Sequence, residues 1–322
     1  MKFNRTALCA ITLLAVTLAV FTAALTAPRA SSPEDERPGA VTIPATVTAG
    51  AVLGCDYGYV ANSDITYVKR INLARYEPDE EPVLSVSNRT DKKIDIEELA
   101  SQDFSVPDKD MSQPLVLVIH SHGTEAYIEG DRDYYFSDDM FRSSDTTENV
   151  VAVGDEFCLE LSKLGISTLH DRTMHDLASY SKAYTSSGAS VEEYLEKYPS
   201  IRYVIDIHRD AVCYDDMYQR PLALIDGKEA AQVMIVVGTD ENGAVHPNWQ
   251  QNLVAAIKWQ QIFNEMYPTL ARPVYLHKSS FNQFNMPTML LLEVGGAANT
   301  LPEALEAARL SARALARFIE LY

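Results

Sequence analysis

Cysteine and positive charge are the two features that this sequence has least of. Of its four cysteines, only Cys55, Cys158 and Cys213 lie beyond the first 50 residues, too far apart for a CxxC zinc motif or a disulfide framework. A metal site in this chain would therefore be built from histidines and carboxylates. Lysine and arginine number 27 against 45 acidic residues, so the formal net charge is −18. The sequence offers no basic patch to neutralise phosphates, which argues against nucleic acid as a partner.

One long uncharged segment is present, at residues 7–26, between Lys2 and Arg5 on one side and Arg29 on the other. Its length, about 20 residues, matches the roughly 30 Å of a bilayer's hydrocarbon core. Positive charge lies mainly before the segment, which predicts that the rest of the chain is outside the cytoplasm. We expect residues 1–27 to be a single-pass anchor in the cell membrane. A cleaved signal peptide is the alternative, because residues 27–30 include small side chains.

The remainder of the chain divides by composition into three segments. Residues 28–48 are rich in proline, alanine, serine and threonine, which is typical of an exposed linker. Residues 49–112 have a mixed pattern and are expected to form a small N-terminal region. From 113 to 322, short β-rich segments alternate with helical patterns at about 155–164, 248–267 and after Thr300. This alternation predicts an α/β domain with a mostly parallel sheet flanked by helices.

Four of the strongest strand-like segments end on a side chain with useful chemistry. Segment 115–119 leads into His120 and His122, 166–169 into His170, 203–207 into His208, and 289–292 into Glu293. In open α/β sheets, ligands and catalytic groups gather beyond the carboxyl ends of parallel strands. Imidazoles and carboxylates that converge there are the usual components of a zinc site. The pattern therefore predicts a hydrolase that uses a metal ion.

Strand alternation gives each candidate a direction. His120 and His122 are expected on the same side of their strand end, close to Glu125. Asp206 and His208 are expected on one face, where the carboxylate would orient the imidazole ring. A lone histidine in such a loop is commonly satisfied by backbone groups, and the 170–176 cluster fits a site and a structural network equally well.

Two further positions are candidates for binding and acid–base chemistry. Arg209 offers a forked cation that suits a carboxylate of the substrate. Glu293 follows a buried strand, where low dielectric raises a carboxyl pKa and favours general acid–base chemistry. Asn299 could then hydrogen-bond a substrate beside it.

Several motifs resemble the stage II sporulation protein P family. They include HSHGTEAY (120–127), SYSKAY (179–184), YPSIRYVIDIHRDA (198–211), VVGTDENGAVHPNWQQNL (236–253), FNQ (281–283) and LLLEVGGAANT (290–300). The resemblance covers roughly residues 113–322. That family is similar to zinc-dependent N-acetylmuramoyl-L-alanine amidases, which cut peptidoglycan. The resemblance implies the amidase fold, a membrane-anchored enzyme of engulfment, and two partners: sporulation protein D, a lytic transglycosylase, and protein M, a membrane scaffold.

The resemblance also implies roles for individual residues. His122 and His208 match the positions of zinc-binding histidines, and Glu293 matches the late catalytic glutamate. The third metal ligand is expected at Glu125, with Glu148 and Glu156 as alternatives. Arg209, Asn299 and His170 are expected to contact the substrate. Two other functions stay open: a zinc endopeptidase that cuts cross-link peptides, and an inactive peptidoglycan-binding module.

Overall fold

A computed structural model describes residues 65–322 apart from 138 and 140, and all of these belong to one compact unit. The segments expected to be an anchor (1–27) and a linker (28–48) lie outside the described residues. Within the described part of the chain, no helix combines the length and the apolar character needed to cross a membrane.

The elements follow one another in an alternating order. The helices are α1 (Ile96–Ser101), α2 (Val150–Lys163), α3 (Ala183–Lys197), α4 (Trp249–Met266) and α5 (Leu301–Leu321). The strands are β1 (Ile65–Tyr67), β2 (Lys69–Ile71), β3 (Val86–Asn88), β4 (Val116–Ile119), β5 (Tyr134–Phe136), β6 (Thr168–His170), β7 (Tyr203–Asp210), β8 (Cys213–Tyr214), β9 (Met217–Ile225), β10 (Lys228–Ala231), β11 (Val233–Gly238), β12 (Val274–His277) and β13 (Met289–Gly296). The helices predicted at 155–164, 248–267 and after Thr300 are confirmed as α2, α4 and α5.

The main sheet has seven strands in the order β3-β12-β11-β13-β7-β4-β6. Its neighbouring pairs are parallel except for β11 and β13. The predicted α/β fold with a mostly parallel sheet is therefore confirmed. The four strands that the sequence singled out are β13, β7, β4 and β6, which are parallel neighbours. Their carboxyl ends consequently meet at one edge of the sheet.

Alternation along the strands separates the two faces of this sheet. Ile205 and Ile207 of β7 and Leu292 of β13 pack into the main core with α2, α4 and α5. We call this the back face. Asp206 and His208, together with Glu293, point to the opposite front face, because successive side chains of a strand alternate. Helix α3 covers the front face over β4 and the start of β7, where Val191 packs with Leu117, Ile119, Val204 and Met289.

Residues 65–112 contribute directly to the same unit. Strand β3 is the edge partner of β12. Helix α1 packs on α4, where Lys258 Nζ donates a hydrogen bond to the carbonyl of Ala100 at 2.7 Å. Tyr76 is buried and its hydroxyl lies 3.0 Å from Asn264 Oδ1. The boundary predicted near residue 112 lies between α1 and β4, and the division into domains stays a prediction.

The helix ends show how local sequence places the elements around the site. At α5, Thr300 and Glu303 form the capping box that the sequence indicates, with Glu303 Oε2 accepting from the Thr300 amide at 2.9 Å. After the C-terminal end of α2, Gly165 has a φ of 79°, a left-handed conformation that glycine adopts without a Cβ clash. The turn returns the chain into β6 and brings His170 to the edge where β4 ends.

Candidate metal centre

Three of the predicted metal ligands lie together at the carboxyl edge of the sheet. His122 and Glu125 come from the turn after β4, and His208 comes from β7. One ligand atom from each lies within 4.8 Å of the others. The Nδ1 atoms of His122 and His208 are 3.5 and 3.4 Å from the two oxygens of Glu125. Two imidazoles and one carboxylate that leave an open position are the donor set of several catalytic zinc sites.

The structure also separates the three glutamates considered as the third ligand. Glu125 is buried between the two histidines, with 6% of its surface exposed. Glu148 is exposed and accepts a hydrogen bond from Ser143. Glu156 lies on the side of α2 that faces α5, where Arg309 Nε donates to it at 2.8 Å. Only Glu125 of these three therefore stands beside the histidines.

A buried carboxylate, Asp206, holds the far side of His208. It accepts from the Ser121 amide at 2.8 Å and from Ser121 Oγ at 2.6 Å, and its Oδ1 lies 2.9 Å from His208 Nε2. The last contact is close but not aligned as a hydrogen bond, since Nε2 has no partner of good geometry. The network continues through Ser187 Oγ, 2.7 Å from Ser121 Oγ, to Asn282 Nδ2 at 3.1 Å. A carboxylate in this position fixes the ring and increases its basicity.

The charged side chains around His208 shift one another's pKa values. Burial alone would lower the pKa of His208, but Asp206 and Glu125 raise this pKa well above its usual value. Burial would raise the pKa of Glu125, and its contacts with His122 and His208 instead hold it below the usual range. Without a metal ion, the electrostatics of the group favour a protonated His208 between two carboxylates. A metal cation has to displace the proton on His208 in order to bind.

Glu293 stands beside this group in the sheet. Strand β13 pairs with β7 so that Glu293 is directly opposite His208. Its Oε2 is buried and makes no hydrogen bond to the described residues. Burial and the nearby charge of Asp210 raise the pKa of Glu293 to about 8. A carboxyl group with a pKa near neutrality is suited to accept and return a proton.

Two tyrosines complete the wall of the site. Tyr180 stacks on the His122 ring with centroids 4.5 Å apart and an interplanar angle of 14°, and Tyr184 meets the same ring edge-on at 5.3 Å. The guanidinium group of Arg142 lies over the Tyr180 ring, 4.6 Å from the ring centroid. The sequence reasoning assigned no role to these residues. The available signal was the SYSKAY motif at 179–184, whose tyrosines are four residues apart and would share a face of one helix. In the structure Tyr180 lies in the 3₁₀ turn Tyr180–Lys182, directly before α3.

His120 does not join His122, and the prediction that both point to one side is wrong. His120 is fully buried, with Nδ1 2.9 Å from the Ile207 carbonyl and Nε2 2.8 Å from His170 Nε2. It packs on Gly154 of α2, where an added Cβ would lie 2.6 Å from His120 Nε2. Strand β4 ends at Ile119, and the following turn breaks the alternation on which the prediction depended.

His170 lies beside His120 rather than in the cleft. Its Nδ1 lies 3.1 Å from Asp155 Oδ1, and its Nε2 contacts His120. It therefore links the end of β6 to α2. His170 does not line the cleft beside the metal ligands.

Arg209 and Asn299, the other two predicted substrate contacts, form hydrogen bonds within the protein. Arg209 lines the cleft, but its Nε and Nη2 donate to the carbonyls of Ala126 and Phe141 at 2.9 and 2.7 Å. Asn299 is fully buried, accepts from the Gly296 amide at 2.8 Å and donates to Glu303 at 2.8 Å. Asn299 therefore fixes the turn from β13 into α5, away from the cleft.

The metal ligands, Tyr180, Tyr184 and Glu293 line one open cleft of about 1000 Å³. A cleft of this size is large enough for an extended polymer segment. The fold and the side chains thus define an α/β protein with a two-histidine, one-carboxylate group beside a protonatable glutamate. Such an arrangement could hold a metal ion and suits hydrolysis.

Sequence comparison identifies the family. The family model "Stage II sporulation protein P (SpoIIP)" matches residues 57–316, and the chain belongs to this family. The stage II sporulation protein P of Bacillus subtilis (strain 168) is 32% identical over 214 residues, which are 62% of this chain and 49% of that protein. The match thus spans about half the length of this curated relative.

Comparison of structures finds N-acetylmuramoyl-L-alanine amidases at low similarity. The CwlD amidase of Clostridioides difficile, in complex with the GerS lipoprotein, is 10% identical with a TM-score of 0.42, over 65% of this chain and all 100% of that chain. AmiC2 of Nostoc punctiforme is 13% identical with a TM-score of 0.37, over 64% and 95% of the two chains.

Proposed function

We propose that this protein is a zinc-dependent peptidoglycan hydrolase that cleaves the amide between N-acetylmuramic acid and the L-alanine of the stem peptide during engulfment. The observation that carries this proposal is the group of His122, Glu125 and His208 beside Glu293 in an open cleft. Membership in the stage II sporulation protein P family supports the sporulation role.

The donor set fits zinc. Both histidines present a ring nitrogen to the same carboxylate, and Asp206 supports His208 from behind. A zinc ion held by these three residues would supply a water with a pKa near ~7 and would polarise the scissile carbonyl.

The remaining chemistry belongs to this chain's own residues. Glu293 accepts the proton of the attacking water and returns it to the leaving amine. Its raised pKa, about 8 in the metal-free protein, keeps the proton exchangeable near neutral pH, and a cation nearby would lower it. Tyr180 and Tyr184 hold the His122 ring on two sides, so that its ligating nitrogen keeps its direction.

The proposal is tested with the purified chain on purified peptidoglycan, with and without a chelator, and with the products identified by mass. We expect free stem peptides that carry an N-terminal L-alanine, and their loss when the chelator is present. His208→Ala and Glu293→Gln should abolish release. Glu148→Gln, an exposed carboxylate that is not beside the histidines, is the matched control and should retain activity.

The products also separate the alternatives. Fragments cut within the cross-link peptide would identify an endopeptidase, because the same metal chemistry cleaves either bond. No products together with no bound zinc would identify a binding module. Full activity in His208→Ala would contradict the assigned metal site.

Location and partners are proposed on the sequence alone. We place the cleft outside the cytoplasm, tethered by residues 1–27 to the cell membrane, where peptidoglycan is accessible. Sporulation protein D and protein M are expected partners on the family resemblance. Co-purification from sporulating cells tests both, and fractionation with and without residues 1–27 tests the anchor.

A further inference from the structure

The cleft extends beyond the metal ligands over the front face of β11, β12 and β13. Its floor there is apolar, formed by Met234, Val236 and Leu291 with Tyr275 and Phe281 beside them. Alternation directs these side chains away from the main core, which takes Val233, Ile235 and Val237 of β11. We call this surface the apolar floor. It begins next to Glu293 and leads away from the metal group.

The walls of the same cleft are cationic in a strongly anionic chain. Five arginines line it against three carboxylates, whereas the whole chain has 27 basic and 45 acidic residues. The arginines are Arg75, Arg89, Arg142, Arg209 and Arg272. A cleft lined by one sign of charge concentrates ligands of the opposite sign. The local reversal of charge therefore points to an anionic ligand.

Two of these arginines are free to bind it. Arg142 is paired with Asp176 at 3.0 Å and Arg272 with Asp210 at 2.7 Å, while Arg209 donates to backbone carbonyls. Arg75 and Arg89 are exposed, and among the described residues their guanidinium groups have no ion pair or hydrogen bond. Arg89 lies 5.9 Å from the centroid of the Tyr275 ring, at the far end of the apolar floor.

We call the part of the cleft that runs from the metal group over the apolar floor to Arg89 the arm. The order of strands gives its length. His208 is on β7, and Arg89 follows β3, which is four strands away in the order β7-β13-β11-β12-β3. Strands are about 4.8 Å apart, so four strand spacings are roughly 19 Å across the sheet. The strand register places His208 level with Glu293 and Met234, and Arg89 about four residues further along the strands, which adds roughly 13 Å in that direction. The arm is therefore roughly 23 Å long, and an extended peptide, which advances about 3.4 Å per residue, would span it with about seven residues.

We propose that this arm binds the peptide part of the substrate, extended across the apolar floor, with its free carboxylates held by Arg75 and Arg89. The inference rests on the proposed function, since it takes the scissile bond to lie at the metal group. Guanidinium groups bind carboxylates through paired hydrogen bonds, and short aliphatic side chains of the peptide cover the floor. A phosphodiester polymer has the charge but no apolar groups to bury there, so an acidic peptide fits the arm better.

Binding is measured with the zinc-loaded Glu293→Gln protein, which keeps the cleft but should not turn over. The probes are a synthetic stem peptide with free carboxylates and the same peptide with every carboxylate converted to an amide. We expect the free peptide to bind at least tenfold more tightly. Adding Arg75→Gln and Arg89→Gln should remove that difference, while the control Arg317→Gln, on α5, should leave it unchanged. Equal affinity of the Arg75→Gln, Arg89→Gln protein and its parent for the free peptide would overturn the proposal.

Kinetics on peptidoglycan separate this inference from the proposed function. With Glu293 intact, the two arginine substitutions should raise KM for peptidoglycan about tenfold and leave kcat nearly unchanged. A wild-type protein that cleaves peptidoglycan, together with an unchanged KM in the variant, would refute the arm and keep the hydrolase. A wild-type protein that binds the free peptide through these arginines without cleaving it would refute the hydrolase and keep the arm. Tighter binding of a glycerol phosphate polymer than of the peptide would also refute the peptide arm.

Discussion

Replacing Asp206 by asparagine tests how this protein prepares His208 for a metal ion. The side chain is 1% exposed and keeps its shape in the variant, so the main change is the loss of one negative charge. Asparagine can still accept from the Ser121 amide, which lies 2.8 Å from Oδ1. The NH2 group of the asparagine replaces Oδ2, which accepts from Ser121 Oγ in the wild type. Ser121 Oγ can accept from this NH2 group instead, because it can donate its own proton to Ser187 Oγ. The fold should therefore tolerate the change.

The expected loss of zinc affinity follows from the contact between Asp206 and His208. Their charged atoms are 2.9 Å apart in a buried environment with little solvent screening. Loss of a carboxylate behind a histidine ligand typically costs about 10–100-fold. We therefore expect Asp206→Asn to bind zinc between ten and a hundred times more weakly at high pH.

The size of this loss should depend on pH. Asp206 raises the pKa of His208, so in the wild-type protein a proton competes with zinc for this residue. The variant has a lower His208 pKa and less competition from protons. As pH falls below the wild-type pKa, wild-type affinity drops faster than that of the variant, and the difference narrows. The deficit should consequently narrow as the pH falls.

Zinc competition with a chromophoric chelator at several pH values measures both effects. Asp171→Asn is the matched control, since Asp171 is also a buried carboxylate beside a histidine, 3.2 Å from His175 Nε2, but outside the metal group. It should leave zinc affinity unchanged, and urea unfolding of both variants reports any loss of fold. Equal zinc affinity of Asp206→Asn and the wild type at pH 8.5 would refute the reasoning.

Three further outcomes follow from the same structure. In the metal-free protein the pKa of Glu293 is raised to about 8 from 4.5, so the folded state binds more protons than the unfolded state, and stability falls as pH rises through that range. Glu293→Gln should remove about 4 kcal/mol of this fall between pH 5 and pH 8.5, measured by urea titration, and the same fall in the variant as in the wild type would contradict the assignment. Gly154→Ala places a Cβ 2.6 Å from His120 Nε2 and should lower the free energy of unfolding by about 1–3 kcal/mol. In the control Gly130→Ala, the added Cβ meets no atom within 4 Å, so any loss of stability reports only the cost of its backbone φ of 66°. Arg209→Gln should reduce stability by about 1–3 kcal/mol, because the Ala126 carbonyl loses its donor and the Phe141 carbonyl keeps only the Ala126 amide. A variant with wild-type stability and a raised KM would instead support the predicted substrate contact.

Much of the candidate site could be predicted from sequence because it depends on local periodicity. Alternation along β7 places Asp206 and His208 on one face, and the same rule places Glu293 on β13. A run of β-rich segments separated by helical patterns predicts parallel strands, whose carboxyl ends meet at one edge. These rules need only neighbouring residues, and the structure agrees with them where the chain remains a regular strand.

Tertiary structure decided the features that depend on where irregular segments turn and what they meet. His120 continues the back-face alternation of Val116 and Val118 and packs on Gly154, and the turn that follows brings His122 forward into the cleft, although the two are only two residues apart. The same turn also brings Glu125 between the histidines, a choice that spacing along the chain left open. Arg209 is engaged by carbonyls of the 126–141 segment, which no local pattern connects to it. The sequence by itself determined which side chains reach the edge of the sheet, because strand geometry repeats every two residues. Only the folded chain determined which of them face each other, because turns and long-range partners have no such period.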